Sequence, residues 1–183
     1  MQIPTYNENR IMETTLTVKQ IQQLIVNHEG GARKQIFVPN VSWGYFDTHE
    51  ADLVKITDAG YMTEYEIKRS WSDFLVDFKK DGTHFEGKVA HLYYVVPESI
   101  KDKCWEYLQE HQFPEPYWHG PDKPNRYPPV GLIYYAEPGF MRTMHQAPHL
   151  ARFTHSDDIK YKLYLEEQMK IMRLGLLRLW TLK

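Results

Sequence analysis

The stretch from His49 to Lys68 constrains the fold more than any other part of this sequence. His49–Thr57 and Tyr61–Lys68 each read as a β-strand, and Asp58-Ala59-Gly60 between them is turn chemistry. The two runs predict an antiparallel hairpin. Strand side chains alternate, so Tyr65 and Ile67 share a face that enters a core, while Glu64, Glu66 and Lys68 share the other. Counting back through the turn sets Asp52, on the first strand, roughly opposite Glu66.

The flanking segments add helices and further strands. Thr17-Val18-Lys19-Gln20 is a capping box, and Val18, Ile21, Leu24, Ile25 and His28 follow at helical spacing until Gly30-Gly31. Gln35–Val38 reads as a short strand stopped by Pro39-Asn40. Ser70, with Asp73 reaching back, starts a helix to about Lys80 that buries Trp71, Phe74, Leu75 and Phe78, and Gly82 closes it. Lys88–Val96 is a strand, and Pro97 opens a helix to about His111. A loop rich in Pro, Tyr and His leads to a buried strand, Val130–Ala136, which Glu137-Pro138-Gly139 breaks. A long amphipathic helix ends the chain. Asp157 and Asp158 sit in its first turn, and Ile159, Leu163, Met169, Met172, Leu176 and Leu179 form its apolar side. That order predicts an α/β (α+β) fold, a mixed sheet flanked by helices. Residues 1–183 form one domain, with the core at about 17–136 and a C-terminal extension and helix at about 137–183.

Composition narrows the class. With 42% hydrophobic and 25% charged residues the chain is neither disordered nor fibrous. One cysteine, Cys104, excludes a disulfide framework and a four-cysteine zinc site, and makes a reducing cytoplasm the default compartment. No run of about 18 apolar residues exists to span a membrane. A net charge of −2 argues against nucleic-acid binding through bulk charge. The charge is unevenly spread, however: residues 142–183 carry eight basic and four acidic groups. A carboxylate-rich body with a basic C-terminal helix suits a metal-dependent enzyme acting on a polyanion.

Residues two apart on a strand are about 6.6 Å apart along it. Glu66 and Lys68 can therefore act on one small substrate group without cancelling each other. Two carboxylates, Asp52 and Glu66, suit Mg²⁺, which keeps waters and accepts phosphate oxygens. Such an ion polarises a phosphodiester and acidifies a bound water. Lys68 can orient that water, or deprotonate it if burial and the cation depress its pKa. A solvated sheet face is the structural alternative for the same alternating charges.

Pro39-Asn40-Val41, then His49-Glu50-Ala51-Asp52-Leu53, then Glu64-Tyr65-Glu66-Ile67-Lys68 resembles the PD-(D/E)xK nuclease superfamily, and within it most nearly the MmcB-like DNA-repair group. The likeness continues through Ser70, Asp73-Phe74 and Asp77, through Leu92-Tyr93-Tyr94-Val95-Val96-Pro97, and through Gly131-Leu132-Ile133. It spans roughly residues 38–136. It implies a restriction-endonuclease-like αβββαβ core, with the long C-terminal helix as an addition. It implies catalytic Asp52, Glu66 and Lys68, with Mg²⁺ or Mn²⁺ held by Asp52, Glu66 and the backbone carbonyl of Ile67. Glu50 is a further candidate ligand, and Glu29 stands where some members place another carboxylate. Glu64 departs from the apolar residue usual at its position, and there it either helps a second metal or faces solvent. The implied activity is hydrolysis of nucleic-acid phosphodiester bonds, DNA in repair or mobile-element processing.

The basic residues Lys79, Lys80 and His84 are candidates for contacting nucleic acid, Lys88 could line its path, and Tyr117, Trp118 and Tyr127 could stack on bases. The nine histidines form no HxxxH pair on a helix and read as loop or surface residues. Cys104 reads as core filler. The C-terminal Met and Leu stripe serves as core or as an oligomer face, for which a homodimer is the simplest form. The alternative to a nuclease is a module of the same fold that binds nucleic acid or protein without cutting.

Overall fold

The computed structural model describes residues 15–33, 35–42, 45–46, 49–79, 88–111, 130–137, 139–147 and 162–181. Six strands form one mixed sheet in chain order: β1 (Ile36–Val41), β2 (Ala51–Ile56), β3 (Met62–Ile67), β4 (Val89–Pro97), β5 (Gly131–Ala136) and β6 (Phe140–His145). The β1–β2, β2–β3 and β5–β6 pairs are antiparallel, while β3–β4 and β4–β5 are parallel. Four helices accompany them: α1 (Val18–His28), α2 (Trp71–Asp77), α3 (Lys101–Glu110) and α4 (Leu165–Thr181). The opening order, α1-β1-β2-β3-α2-β4, is the αβββαβ arrangement expected of the core.

Local chemistry accounts for most element ends. Thr17 and Gln20 cap α1 reciprocally, and the amide of Gly31, at φ 86°, closes the helix on the Val26 carbonyl at 2.8 Å. Ser70 accepts from the Asp73 amide at 3.1 Å, while the Asp73 carboxylate takes the Arg69 amide, one residue before the cap. Gly60, at φ 84°, makes the tight β2–β3 turn, its amide bonded to the Thr57 carbonyl at 2.8 Å.

The sheet has two covered faces. Ile21 and Ile25 of α1 pack on Leu53, Tyr65, Ile67, Tyr93, Val95, Ile133 and Tyr135. On the other face, Phe74 of α2, Cys104, Trp105 and Leu108 of α3 and Ile171 of α4 pack on Val38, Val54, Ile56, Met62, Leu92, Tyr94 and Leu132. β3 runs between these layers with all six residues buried.

Four expectations change. β1 does not stop at Pro39-Asn40. It is an edge strand, where a missing N–H is tolerated, and Asn40 adopts φ 52° so that pairing resumes at Val41. β6 was not foreseen. It is the opposite edge, with Phe140 40% exposed and no fully buried residue to mark it in the sequence. Helix α2 ends at Asp77 rather than about Lys80. The packed side of α4 is Ile171, Leu174 and Gly175, whereas Met169 and Leu176 face outward. A Cβ on Gly175 would stand 2.5 Å from the Val38 side chain, so close approach of helix and β1 sets that face. The predicted helix start at Asp157–Asp158 lies outside the described residues. No described helix is long and apolar enough to cross a membrane.

Candidate metal and phosphodiester site

The hairpin turn fixes the β2–β3 register. Leu53 pairs with Tyr65 and Val54 with Glu64, and Asp52 and Glu66 are the next residues beyond the last pair. Lys68 follows β3 directly, and its amide donates to the Val95 carbonyl at 2.9 Å, which carries the alternation one residue further. Glu64, Glu66 and Lys68 therefore share the face covered by α2, α3 and α4. That face is not solvated: the three residues are 0%, 3% and 7% exposed. β3 is buried because β4 arrives in parallel on its free side, which encloses the charges between two strands and a helix layer.

Lys68 is the hub. Its Nζ lies 3.1 Å from Glu66 Oε2 and 2.8 Å from Asp77 Oδ1. Burial disfavours its charge, but attraction to Glu66 and Asp77 outweighs that penalty and raises the pKa. The sequence left open a lysine with a depressed pKa acting as a base. Those two carboxylates favour the ammonium over the free amine. Asp77 sits at the end of α2, where a buried carboxylate opposes the helix dipole, and Lys68 offsets it. The Tyr94 phenol, wholly buried, also hydrogen-bonds Asp77 and faces Glu66 and Glu64. Burial and those carboxylates keep it protonated as a donor.

Asp52 is half-buried, and its Oδ2 accepts the Ile67 amide at 2.8 Å. Burial raises its pKa, opposed by the Ile67 N–H and by Lys68, while Asp73 and Asp77 push it further up. Ile67 thus meets Asp52 through its amide.

The histidine reading needs one correction. His49 is not a surface residue: its side chain is 5% exposed, and Nε2 lies 2.9 Å from Glu64 Oε1. It rests beside Phe46 in the lead-in to β2, with ring centroids 4.5 Å apart. His49, Glu64 and Glu66 each offer a ligand atom, and these atoms lie within 4.8 Å of one another.

Other candidates lie elsewhere. Glu50 is exposed and receives both guanidinium nitrogens of Arg178, which also bonds Ser42 at 2.8 Å. It ties α4 to the start of β2. Glu29 lies on the opposite sheet face, paired with Lys55 at 2.6 Å. Lys79 is exposed just beyond α2. Lys88 pairs with Glu167 at 2.7 Å. Lys80, His84, Tyr117, Trp118 and Tyr127 lie outside the described residues.

No protein-family model matches the chain, and no curated protein matches it. Among solved structures, it is similar to the SPO1766 protein of unknown function from Silicibacter pomeroyi. The TM-score is 0.54 at 14% identity, covering 90% of this chain and 88% of that one. The likeness extends to the fold alone.

Proposed function

We propose that this protein is a metal-dependent hydrolase of nucleic-acid phosphodiesters, DNA first among them, working in a reducing cytoplasm. Asp52 and Glu66 are the carboxylates that hold Mg²⁺ or Mn²⁺. The reading rests on one observation: Asp52 and Glu66 lie one step beyond the Leu53–Tyr65 pair of adjacent strands, with the Lys68 amine 3.1 Å from Glu66. That donor chemistry fits a hard, oxygen-seeking ion. The cation, when bound, polarises the phosphoryl oxygen and acidifies a water.

The protein's own groups do the rest. Lys68, kept charged by Glu66 and Asp77, orients the attacking water and stabilises charge developing on the phosphate. Asp77 and Tyr94 are positioning residues that fix the ammonium. The Ile67 amide holds the Asp52 carboxylate in place. Glu50, engaged by Arg178, is left out of the ligand set. Lys79 serves as a contact for nucleic acid at the exposed end of α2.

The test is cleavage of single-stranded and duplex DNA and RNA with Mg²⁺ or Mn²⁺, against a chelator control. Cation-dependent product is expected. It should fall by at least about 100-fold in Asp52→Asn, which still accepts the Ile67 amide. No product from any substrate with either cation, or undiminished cleavage by the variant, overturns the reading. Cation-dependent binding without product favours the non-cutting module.

A further inference from the structure

We propose a second divalent-cation site, formed by His49, Glu64 and Glu66, that shares Glu66 with the Asp52 site and selects nitrogen-accepting ions such as Mn²⁺ over Mg²⁺. It goes beyond the hydrolase reading and does not depend on it. Two of the donors are already spaced as neighbouring ligands. Around an octahedral ion with bonds of about 2.1 Å, neighbouring ligand atoms are separated by about 3.0 Å and opposite ones by about 4.2 Å. His49 Nε2 and Glu64 Oε1 are 2.9 Å apart, and all three donors lie within 4.8 Å of one another, a span that a bound ion would narrow by drawing in the Glu66 carboxylate.

Charge and burial point the same way. Glu64 and Glu66 are 0% and 3% exposed, and both face the same buried Tyr94 phenol. The single positive charge of Lys68 is shared by Glu66 and Asp77. A divalent ion bound by His49, Glu64 and Glu66 brings this cluster toward neutrality, where buried like charges are otherwise costly. One imidazole with two carboxylates is a mixed donor set. Mg²⁺ prefers oxygen and surrenders water reluctantly, whereas Mn²⁺ and later first-row ions accept imidazole. Glu64, which departs from the apolar residue of the resembled motif, is then the ligand that creates the site.

The experiment is electron spin resonance of Mn²⁺ added to the metal-free full chain, read for nitrogen modulation of the spin echo. Wild type should bind Mn²⁺ with a directly coordinated imidazole nitrogen. His49→Gln, which can still hydrogen-bond Glu64, should lose that signal and weaken Mn²⁺ binding at least about 10-fold. Asp52→Asn should keep the nitrogen signal while losing cleavage, which separates the two sites. Absence of the signal in folded wild type, or its persistence in His49→Gln, overturns the proposal, whatever the outcome of the cleavage assay.

Discussion

The two faces of the sheet are covered in opposite ways. Toward α1 the buried core is apolar or aromatic, Gln22 of the helix donates to Asn40 and to the Asp52 carbonyl, and the Lys55–Glu29 ion pair has side chains 13% and 20% exposed. Toward α2, α3 and α4 the core surrounds Glu64, Glu66, Lys68 and Asp77, all under a tenth exposed. A face built only for stability has no use for two buried carboxylates around one amine and a third against a histidine, since apolar residues of similar size serve at least as well. The difference sets the charged face apart as the one on which the proposed chemistry would sit. The largest expected effect tests it directly. Lys68→Ala strands Glu66 and Asp77 in the core and should cost about 3–5 kcal/mol of stability. Lys55→Ala, on the other face, should cost about 1 kcal/mol or less. Urea denaturation measures both, and equal losses would erase the distinction between the faces.

A second change sharpens the comparison with the opposite sign. Glu64→Gln removes one buried charge near Glu66 and keeps a group that can bond His49. Without metal it should raise stability by about 1 kcal/mol, the usual exchange of function for stability. With Mn²⁺ at about 100 times its dissociation constant, wild type should gain about 2.7 kcal/mol and the variant distinctly less. A variant less stable than wild type in chelator would place Glu64 among the packing residues instead.

Local chemistry made part of this legible before any coordinates. The capping box at Thr17–Gln20 and the turn at Asp58–Gly60 are written in three or four residues each, and the turn sets a register that runs to Leu53 and Tyr65, the neighbours of Asp52 and Glu66. Burial of the charged face is not local. It depends on β4 pairing in parallel after a long crossover, which the alternation within Glu64-Tyr65-Glu66 cannot report. His49 was missed for a related reason. Nothing adjacent to it in the chain names Glu64, fifteen residues on, as its partner. The strand begins only at Ala51, and the lead-in before it reaches Glu64 across the hairpin. The apolar stripe of α4 misleads because a glycine, not a large residue, makes its closest approach to β1. The two edge strands, with Pro39-Asn40 in one and half-exposed side chains in the other, lack the continuous pattern of the central four.

Cys104 gives the finest probe of how tightly the charged face is closed. It belongs to the same core as Phe74 and Tyr94, is 0% exposed, and burial pushes its thiol up to about 12 despite nearby Lys103. A raised thiol pKa means less thiolate, so at pH 8 only about one molecule in ten thousand would carry the reactive form. Alkylation of the native protein at pH 8 should therefore run at least about 1000-fold slower than in urea. What labelling does occur should follow opening of the α3 side rather than reaction in place. Rapid labelling of the folded chain would mean that water reaches this layer freely.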